Sequence, residues 1–218
     1  MITLADIDGQ SLSSVICDFM ICKRCGIVDR ERSRIVANSP CPACHKSAGI
    51  ARLYFGLNLA VLIDLIQQSY HSATPEGQAL GPQSPDVAVV LFFCALREAL
   101  FNNLLKYLLD TEEIISRGGL KSKVSQLEER IGRTWGQAVR EVSSHEGIGF
   151  DSVSKLMIEA SGIRNRFMHE ASGWGATRQF ATECINSTFA LLQLFASLHN
   201  LYAQPRLANQ RDGKATER

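Results

Sequence analysis

The spacing of hydrophobic residues changes near residue 50 of the chain. Before that point, β-prone stretches at 15–21 and 34–37 flank polar, cysteine-containing segments. After it, apolar residues recur every three or four positions, which places them on one face of an α-helix. The pattern predicts a small β-containing module over residues 1–50 and a helical domain over residues 51–203.

Five helices are predicted from this spacing, and the fourth begins at residue 151 or 152. Their predicted bounds are 51–69, 86–109, 121–142, 151–169 and 177–203. The segment 71–85 holds three prolines and two glycines and is expected to be a loop. Residues 204–218 are polar, lack apolar periodicity and are expected to be disordered. The predicted fold class is mainly α, an antiparallel helical bundle with a small N-terminal β module.

The second predicted helix is apolar on all sides, which is typical of a helix buried in a core. Its apolar block ends at Arg97 and Glu98, well short of the roughly 18 residues that indicate a membrane span. No membrane insertion is therefore expected. A charged pair among core residues needs a partner or an opening to water. The alternative is that the pair lies on one solvated stripe of the helix.

Composition favours a reducing compartment. The chain of 218 residues has seven cysteines, an odd number, and no basic N-terminal segment followed by an apolar run. A hydrophobic content of 45% is ordinary for a globular protein. We expect a cytoplasmic protein whose core needs no disulfides.

Two Cys-x-x-Cys pairs dominate the first quarter of the chain. They are CKRC, with Cys22 and Cys25, and CPAC, with Cys41 and Cys44, and residues 26–40 separate them. This spacing is typical of a zinc site, because four thiolates can surround one Zn²⁺ ion in a tetrahedron. Four cysteines close the coordination sphere, whereas catalytic zinc usually has three protein ligands and an open position. We therefore predict a structural Zn²⁺ ion in an N-terminal zinc ribbon.

Other readings of these cysteines are weaker. A thioredoxin-like redox role needs a strand–helix context, which the residues after each pair do not offer. Cys17 and His45 could each replace a ligand, but neither belongs to a pair. Residues 22–52 hold seven lysines and arginines and two acidic residues, a net charge of +5 before the thiolates are counted. Such a basic surface suits a polyanion, although charge for solubility is an equally good explanation.

The end of the fourth predicted helix carries a second pattern, GIRNRFMHE. Arg164 is followed by the polar Asn165, and His169 stands four residues further on. An arginine, a polar residue, three more residues and a histidine on the penultimate long helix of a bundle resembles the signature of the HEPN superfamily. The resemblance covers residues 51–203, and its specific part is six residues long. It implies a homodimer in which two motifs form a composite site that cuts RNA without a metal ion.

The residue types suit this chemistry independently of the resemblance. Histidine can move a proton at physiological pH, and arginine offers a planar fork to phosphate oxygens. Five residues on a helix correspond to about 140°, so Arg164 and His169 do not share one stripe. They could converge at the helix end or when a second subunit closes the cleft. A second match, Arg140 and His145 in REVSSH, is less favoured, because RNRFMH adds the polar Asn165, lies inside an apolar helical frame and precedes a glycine turn and one last long helix.

In the HEPN superfamily an acidic residue from another helix sometimes contributes, and the resemblance makes Glu98 the candidate. The leading hypothesis is a metal-independent endoribonuclease in stress response, a toxin–antitoxin pair or anti-phage defence, with an antitoxin or other partner protein. The alternative is a non-catalytic module that binds RNA or protein. For Arg164 and His169, the structural explanation is a helix C-terminus stabilised by cations. A purely structural adaptor is the third reading.

Overall fold

The computed structural model describes residues 16, 18–29, 35, 39–46, 52–72, 85–109, 119–172 and 175–205. Within them the protein is mainly helical and has a small two-stranded antiparallel sheet near the N-terminus, as the sequence predicts. The elements in chain order are β1 (Met20–Ile21), β2 (Arg52–Leu53), α1 (Leu57–His71), α2 (Pro85–Leu109), α3 (Leu120–Ile131), α4 (Trp135–Glu146), α5 (Asp151–Glu170), α6 (Arg178–Leu198) and a π-helix (His199–Ala203). The predicted tail begins two residues too early, because Gln204 and Pro205 are still helical. Its remainder, 206–218, and nearly all of the predicted loop lie outside the described residues.

The sheet joins the cysteine-containing segment to the chain that leads into α1. Met20 pairs with Leu53 and Ile21 with Arg52, and Ile21 also bridges to Val28. Residues 52–53 are therefore extended, and helix α1 begins only at Leu57. The expectation that this helix starts at residue 51 is wrong, because strand pairing competes for these residues. We call described residues 18–46 together with β2 the cysteine module.

The third predicted helix is two helices. Gly132, at φ 66°, ends α3 in the left-handed conformation that glycine adopts readily. Thr134 then caps α4 in a capping box, with its hydroxyl accepting from the Gln137 backbone N–H. The continuous apolar stripe at 121–142 hides this break, because the two helices bury their faces in the same core. The last predicted helix is confirmed in extent, and its final turn is the π-helix.

Helix α2 lies at the centre of the protein and packs against α1, α3, α5 and α6. Its buried Phe101 meets the ring of Phe195 from α6 at 4.8 Å and that of Trp135 from α4 at 5.4 Å. By length and composition alone, α2 could span a membrane, but 56% of its most apolar window is buried inside the protein. The core helix of a globular fold meets the same criteria, so this is weak evidence for a span.

Arg178 ties together the ends of three helices. It forms an ion pair with the buried Asp86 of α2 at 3.1 Å and donates to the Tyr70 backbone carbonyl of α1 at 2.9 Å. Its guanidinium also lies 3.7 Å from the centre of the Tyr70 ring. The start of α6 is thereby fixed against the other two helices.

The cysteine module shares its core with the helices. Phe19 is fully buried, and its ring contacts those of Phe55 at 5.1 Å and Phe189 of α6 at 5.8 Å. Ile16, Ile21 and Val28 belong to the same continuous hydrophobic cluster. The module is therefore packed on the helical part and not merely tethered to it.

Candidate metal centre and catalytic motif

The two Cys-x-x-Cys pairs fold into matching knuckles. In the first, the Cys22 carbonyl accepts from the Gly26 N–H, and the Cys22 N–H donates to the Ile27 carbonyl. In the second, Cys41 makes the same two bonds with His45 and Lys46. The fifth residue of each knuckle has a positive φ, 75° at Gly26 and 55° at His45. Each knuckle thus turns both of its sulfurs to one side.

The four sulfurs converge on one point. The Sγ atoms of Cys22, Cys25, Cys41 and Cys44 all lie within 4.8 Å of one another, and those of Cys25 and Cys41 are 3.8 Å apart. A tetrahedron with Zn–S bonds of about 2.3 Å has edges of about 3.8 Å. The residues therefore fit one tetrahedral metal ion. They form the only such group of histidine, cysteine and acidic residues within the described part of the chain.

The knuckles also position backbone N–H groups against the sulfurs. Burial acts to raise the pKa of the Cys22 thiol, but the N–H groups of Cys25 and Arg24 outweigh it and lower that pKa. Burial raises the pKa of the Cys25 and Cys41 thiols, against opposing N–H groups. N–H donors favour thiolates, the form that binds metal. His45 does not belong to the cluster, and Cys17 lies outside the described residues.

The π-helix and the residue that follows it hold the first knuckle through three side chains. His199 Nε2 lies 2.8 Å from the Gly26 carbonyl, and Gln204 donates to the Cys25 carbonyl at 3.0 Å. Asn200 makes two bonds with Val28, accepting from its N–H at 2.7 Å and donating to its carbonyl at 2.8 Å. All four bonds end on backbone atoms. The knuckle is therefore held in a fixed position on the helical part.

Of the three side chains that contact the first knuckle, His199 is the fully buried one. It is fully buried between the rings of Tyr54 and Tyr107, with centroids 4.6 Å and 4.8 Å away. Because a carbonyl only accepts, Nε2 carries a proton, while Nδ1 is buried and has no hydrogen-bond partner within the described part of the chain. Burial lowers the pKa of His199 to about 4, and the bond to Gly26 opposes this shift.

Acid is expected to destabilise the protein through His199. In the unfolded chain the imidazole titrates near pH 6.5, so between about pH 6.5 and pH 4 only the unfolded state gains the proton. The stabilisation is complete above pH 6.5, and about 3 kcal/mol of it is lost as the pH falls to 4. Urea unfolding across this range measures it. His199→Gln, which keeps a donor for Gly26 but cannot titrate, should show a flatter profile. Parallel profiles would contradict this account.

Arg97 and Glu98 are placed by α2 at the edge of the core. Arg97 is 1% exposed, and its Nη1 donates to the Met157 carbonyl at 3.0 Å and to the Ser161 hydroxyl. Its Nη2 lies 3.3 Å from Glu98 Oε1, and Glu98 retains 30% exposure. The pair therefore has both features expected of it, a partner and an opening to water.

The motif that the sequence analysis predicts to be catalytic lies on the last two turns of α5, and the structure brings only part of it together. Arg164 is half-buried and donates to Asn165 Oδ1 at 3.2 Å. Burial raises the pKa of the nearby Cys94 thiol, and the charge of Arg164 opposes this shift, as does that of Arg97. His169 is exposed and contacts neither of them. Within the described chain it has no hydrogen-bond or ion-pair partner.

Arg166 and Glu170 also lie near the motif on α5. Arg166 lies over the turn after α5, where a Cβ on Gly175 would stand 3.0 Å from its Nη2. Gly175 has a φ of 93°, a conformation that other residues rarely adopt. Glu170, which could orient His169, is exposed and makes no described contact with it.

A separate cavity of about 290 Å³ lies where the cysteine module meets α4 and the π-helix. His145 and Glu146 line it together with the buried Asp29 and the partly buried Asn200. None of the four predicted catalytic residues does. His145, from the less favoured REVSSH match, pairs with Glu146 at 3.8 Å. The cavity is therefore distinct from the α5 motif.

Comparison of the chain with protein-family models, curated proteins and solved structures finds no match. Function must therefore be argued from the chemistry of the described residues.

The sequence analysis misses His199, Asn200 and Gln204, the residues that hold the first knuckle. They follow the apolar stripe of α6, and polar residues are common at helix ends, so nothing marks them as contacts. Lys123 is missed as well, since it is 4% exposed although it lies in a polar stretch. The local signal in the sequence for His199, Asn200 and Gln204 is a polar helix end that directly follows a mostly apolar turn.

Proposed function

We propose that the protein is a metal-independent endoribonuclease of the HEPN type, acting as a homodimer, with a structural Zn²⁺ ion in the cysteine module. One observation carries the proposal: on α5, Arg164 is half-buried and donates to Asn165, while His169 is exposed and has no hydrogen-bond or ion-pair partner among the described residues. The site thus combines a fixed phosphate-binding fork with a free imidazole at the surface.

Arg164 and His169 together can supply every group that the reaction needs. His169 takes the proton of a ribose 2′-hydroxyl, and the 2′-oxygen bonds to phosphorus as the bond from phosphorus to the 5′-oxygen breaks. The imidazolium returns the proton to the departing 5′-oxygen. Arg164 stabilises the charge on the phosphorane. The products are a 2′,3′-cyclic phosphate and a free 5′-hydroxyl.

The exposed face of α5 supports the dimer. Ile158, Gly162, Asn165 and His169 follow one another at helical spacing, and all four are exposed. Ile158 is 56% exposed, so part of this face is apolar. Gly162 has no side chain, and a Cβ there would meet nothing within 4 Å, so the face is open at this position. Arg164 stands about 140° away from His169 around the helix. Because one helix does not present both side chains on this face, the proposed composite site needs a second copy to supply its own Arg164 near the first copy's His169.

Zinc is the metal that the cysteine cluster fits best. Four soft thiolates in a tetrahedral arrangement select Zn²⁺ over hard cations. With four protein ligands no position is open for substrate, so the ion is expected to stabilise the fold and not to cut RNA.

The test is RNA cleavage without added divalent cations. Wild-type protein incubated with a mixed RNA pool is expected to release fragments that end in 2′,3′-cyclic phosphate. His169→Ala should cut about 10²- to 10⁴-fold more slowly with unchanged zinc content and dimer mass. His145→Ala is the matched control, because it removes the exposed histidine of the other Arg-x4-His match. Undiminished cleavage by His169→Ala would refute the mechanism.

The second candidate is a non-catalytic module that binds RNA or protein. It is favoured by the exposed Lys23, Arg24 and Lys46 at the knuckles, which extend a positive surface beside the helices. It predicts RNA binding that weakens steeply with salt, without product. Absence of cleavage of any RNA in the pool, together with such binding, would favour this candidate.

A further inference from the structure

The cavity between the cysteine module, α4 and the π-helix has no part in the chemistry proposed above. Its volume of about 290 Å³ is about twice that of an apolar cavity of roughly 150 Å³ that holds one benzene molecule. It therefore has room for a molecule with one ring and a short side arm. His145 lines the cavity, and its side chain is 69% exposed, so the cavity reaches the protein surface there.

The walls of the cavity are fixed by contacts within the protein. Asn200 uses both polar atoms of its amide on the backbone of Val28, at 2.7 Å and 2.8 Å, which fixes the π-helix wall against the module. Ile35 is 1% exposed and belongs to the small core of the module, and Val142 of α4 is fully buried. A preformed pocket where two structural units meet is typical of small-molecule sites, because binding then requires little ordering of the protein.

Much of the lining is apolar and comes from both the cysteine module and the helices. The apolar lining residues are Ile27, Val28, Ile35, Pro42, Val142 and Leu201. Removing apolar surface from water is the main favourable term in burying an organic molecule. The lining therefore favours a ligand with an apolar body.

The charged groups of the described lining are acidic. Glu146, at the end of α4, has a side chain that is 11% exposed, and Asp29, after the first knuckle, is 4% exposed. No lysine or arginine is among the described residues that line the cavity. His145 lies 3.8 Å from Glu146 and adds a positive charge only when it is protonated. Two carboxylates away from bulk water attract a cation and repel an anion.

We propose that this cavity binds a small organic cation, with an apolar body of about one ring and a primary ammonium group on a short arm. The body lies against the apolar walls, and the ammonium group donates to the Glu146 carboxylate beside the exposed His145. Asp29 adds negative potential. A hydrogen bond between two charged groups is stronger than one between neutral groups. The cavity is separate from the α5 motif, so this binding goes beyond the proposed function and does not depend on it.

Three probes with the same apolar body test the charge preference. They are 3-phenylpropylamine, 3-phenylpropanol and 3-phenylpropionate, which are cationic, neutral and anionic at about pH 8, where unperturbed histidine is neutral. In NMR titrations of the full chain, the amine is expected to bind about 10-fold more tightly than the alcohol, and the propionate should bind most weakly. The methyl signals of Val28, Val142 and Leu201 should shift, because these residues line the cavity.

Two variants test the site. Glu146→Gln should weaken binding of the amine about 10-fold, to the level of the alcohol, and leave the alcohol unaffected. Glu129→Gln changes an exposed glutamate of α3 that does not line the cavity, and this matched control should bind all probes as the wild type does. Leu201→Phe adds volume to the wall and should weaken the amine and the alcohol alike. If this variant does not fold, the methyl shifts still locate the probes.

Equal affinities for the amine and the alcohol, or a Glu146→Gln protein that binds the amine like the wild type, would overturn the assignment of a cation. Absence of saturable binding by any probe, or saturable binding that leaves the three methyl signals unshifted, would overturn the site. Neither result bears on RNA cleavage by Arg164 and His169. His169→Ala should bind the amine with wild-type affinity, whatever its effect on cleavage.

Discussion

Replacing Cys41 with serine is expected to abolish metal binding and to unfold the second knuckle. Cys41 is fully buried, and it forms the module's own small core with Cys22 and Ile35. So few apolar side chains cannot hold this part of the chain, whereas structural zinc contributes about 10–16 kcal/mol of apparent binding free energy in small zinc domains. Metal content measured by mass spectrometry should fall from one ion per chain to none.

Cys184→Ala is the matched control, because Cys184 is fully buried in the helical core and lies outside the cluster. It should keep one ion per chain. Cobalt substitution gives a second readout, since thiolate-to-cobalt absorption should appear in the control and be absent in Cys41→Ser. A Cys41→Ser protein that retains one ion per chain would show that the four sulfurs are not the ligand set.

Arg97→Ala is expected to lower the free energy of unfolding by about 3–5 kcal/mol, the cost of removing one partner of a buried charged pair. The substitution empties a volume in the core and removes the bond to the Met157 carbonyl. It also leaves Glu98 beside the core without its guanidinium partner. Urea unfolding at neutral pH is the measurement.

Arg97→Met separates charge from volume. Methionine fills most of the space and needs no hydrogen bonds, so this variant should lose less than about 1.5 kcal/mol or gain stability. Two equally destabilised variants would mean that the guanidinium bonds, and not the filled volume, stabilise the helix contact. Loss of less than 1 kcal/mol in Arg97→Ala would contradict the burial of this side chain.

The cysteine cluster could be predicted from sequence because its information is local. Two residues between cysteines suffice to build a knuckle, and the hydrogen bonds that shape each knuckle span only four or five positions. Convergence of the two pairs follows once both sulfurs of each knuckle face one way. The identity of the metal and the predictions concerning RNA remain predictions.

The errors in the helix bounds arise where local and long-range signals compete. The capping box at Thr134 and Gln137 is visible in the sequence, but the apolar stripe continues through it and conceals the break. Arg52 and Leu53 form a strand only because β1 lies beside them. Pairing across this distance leaves no periodic signal in so short a strand.

The surroundings of the candidate catalytic residues depend on contacts between distant helices. Sequence indicated that the Arg97–Glu98 pair needed a partner or an opening to water, yet the Met157 and Ser161 acceptors belong to another helix. The burial of Lys123 likewise results from the packing of α3, and the polar sequence around Lys123 does not indicate this burial. Such contacts must be read from the fold.

The contact between the π-helix and the first knuckle has a consequence for the surface of the knuckle. His199, Asn200 and Gln204 bind only main-chain atoms of Cys25, Gly26 and Val28. These hydrogen bonds therefore do not depend on which side chains stand at the tip of the knuckle, where Lys23 and Arg24 lie. These tip residues can therefore be exchanged without altering how the module is mounted. The surface charge at the tip can change while the scaffold stays constant.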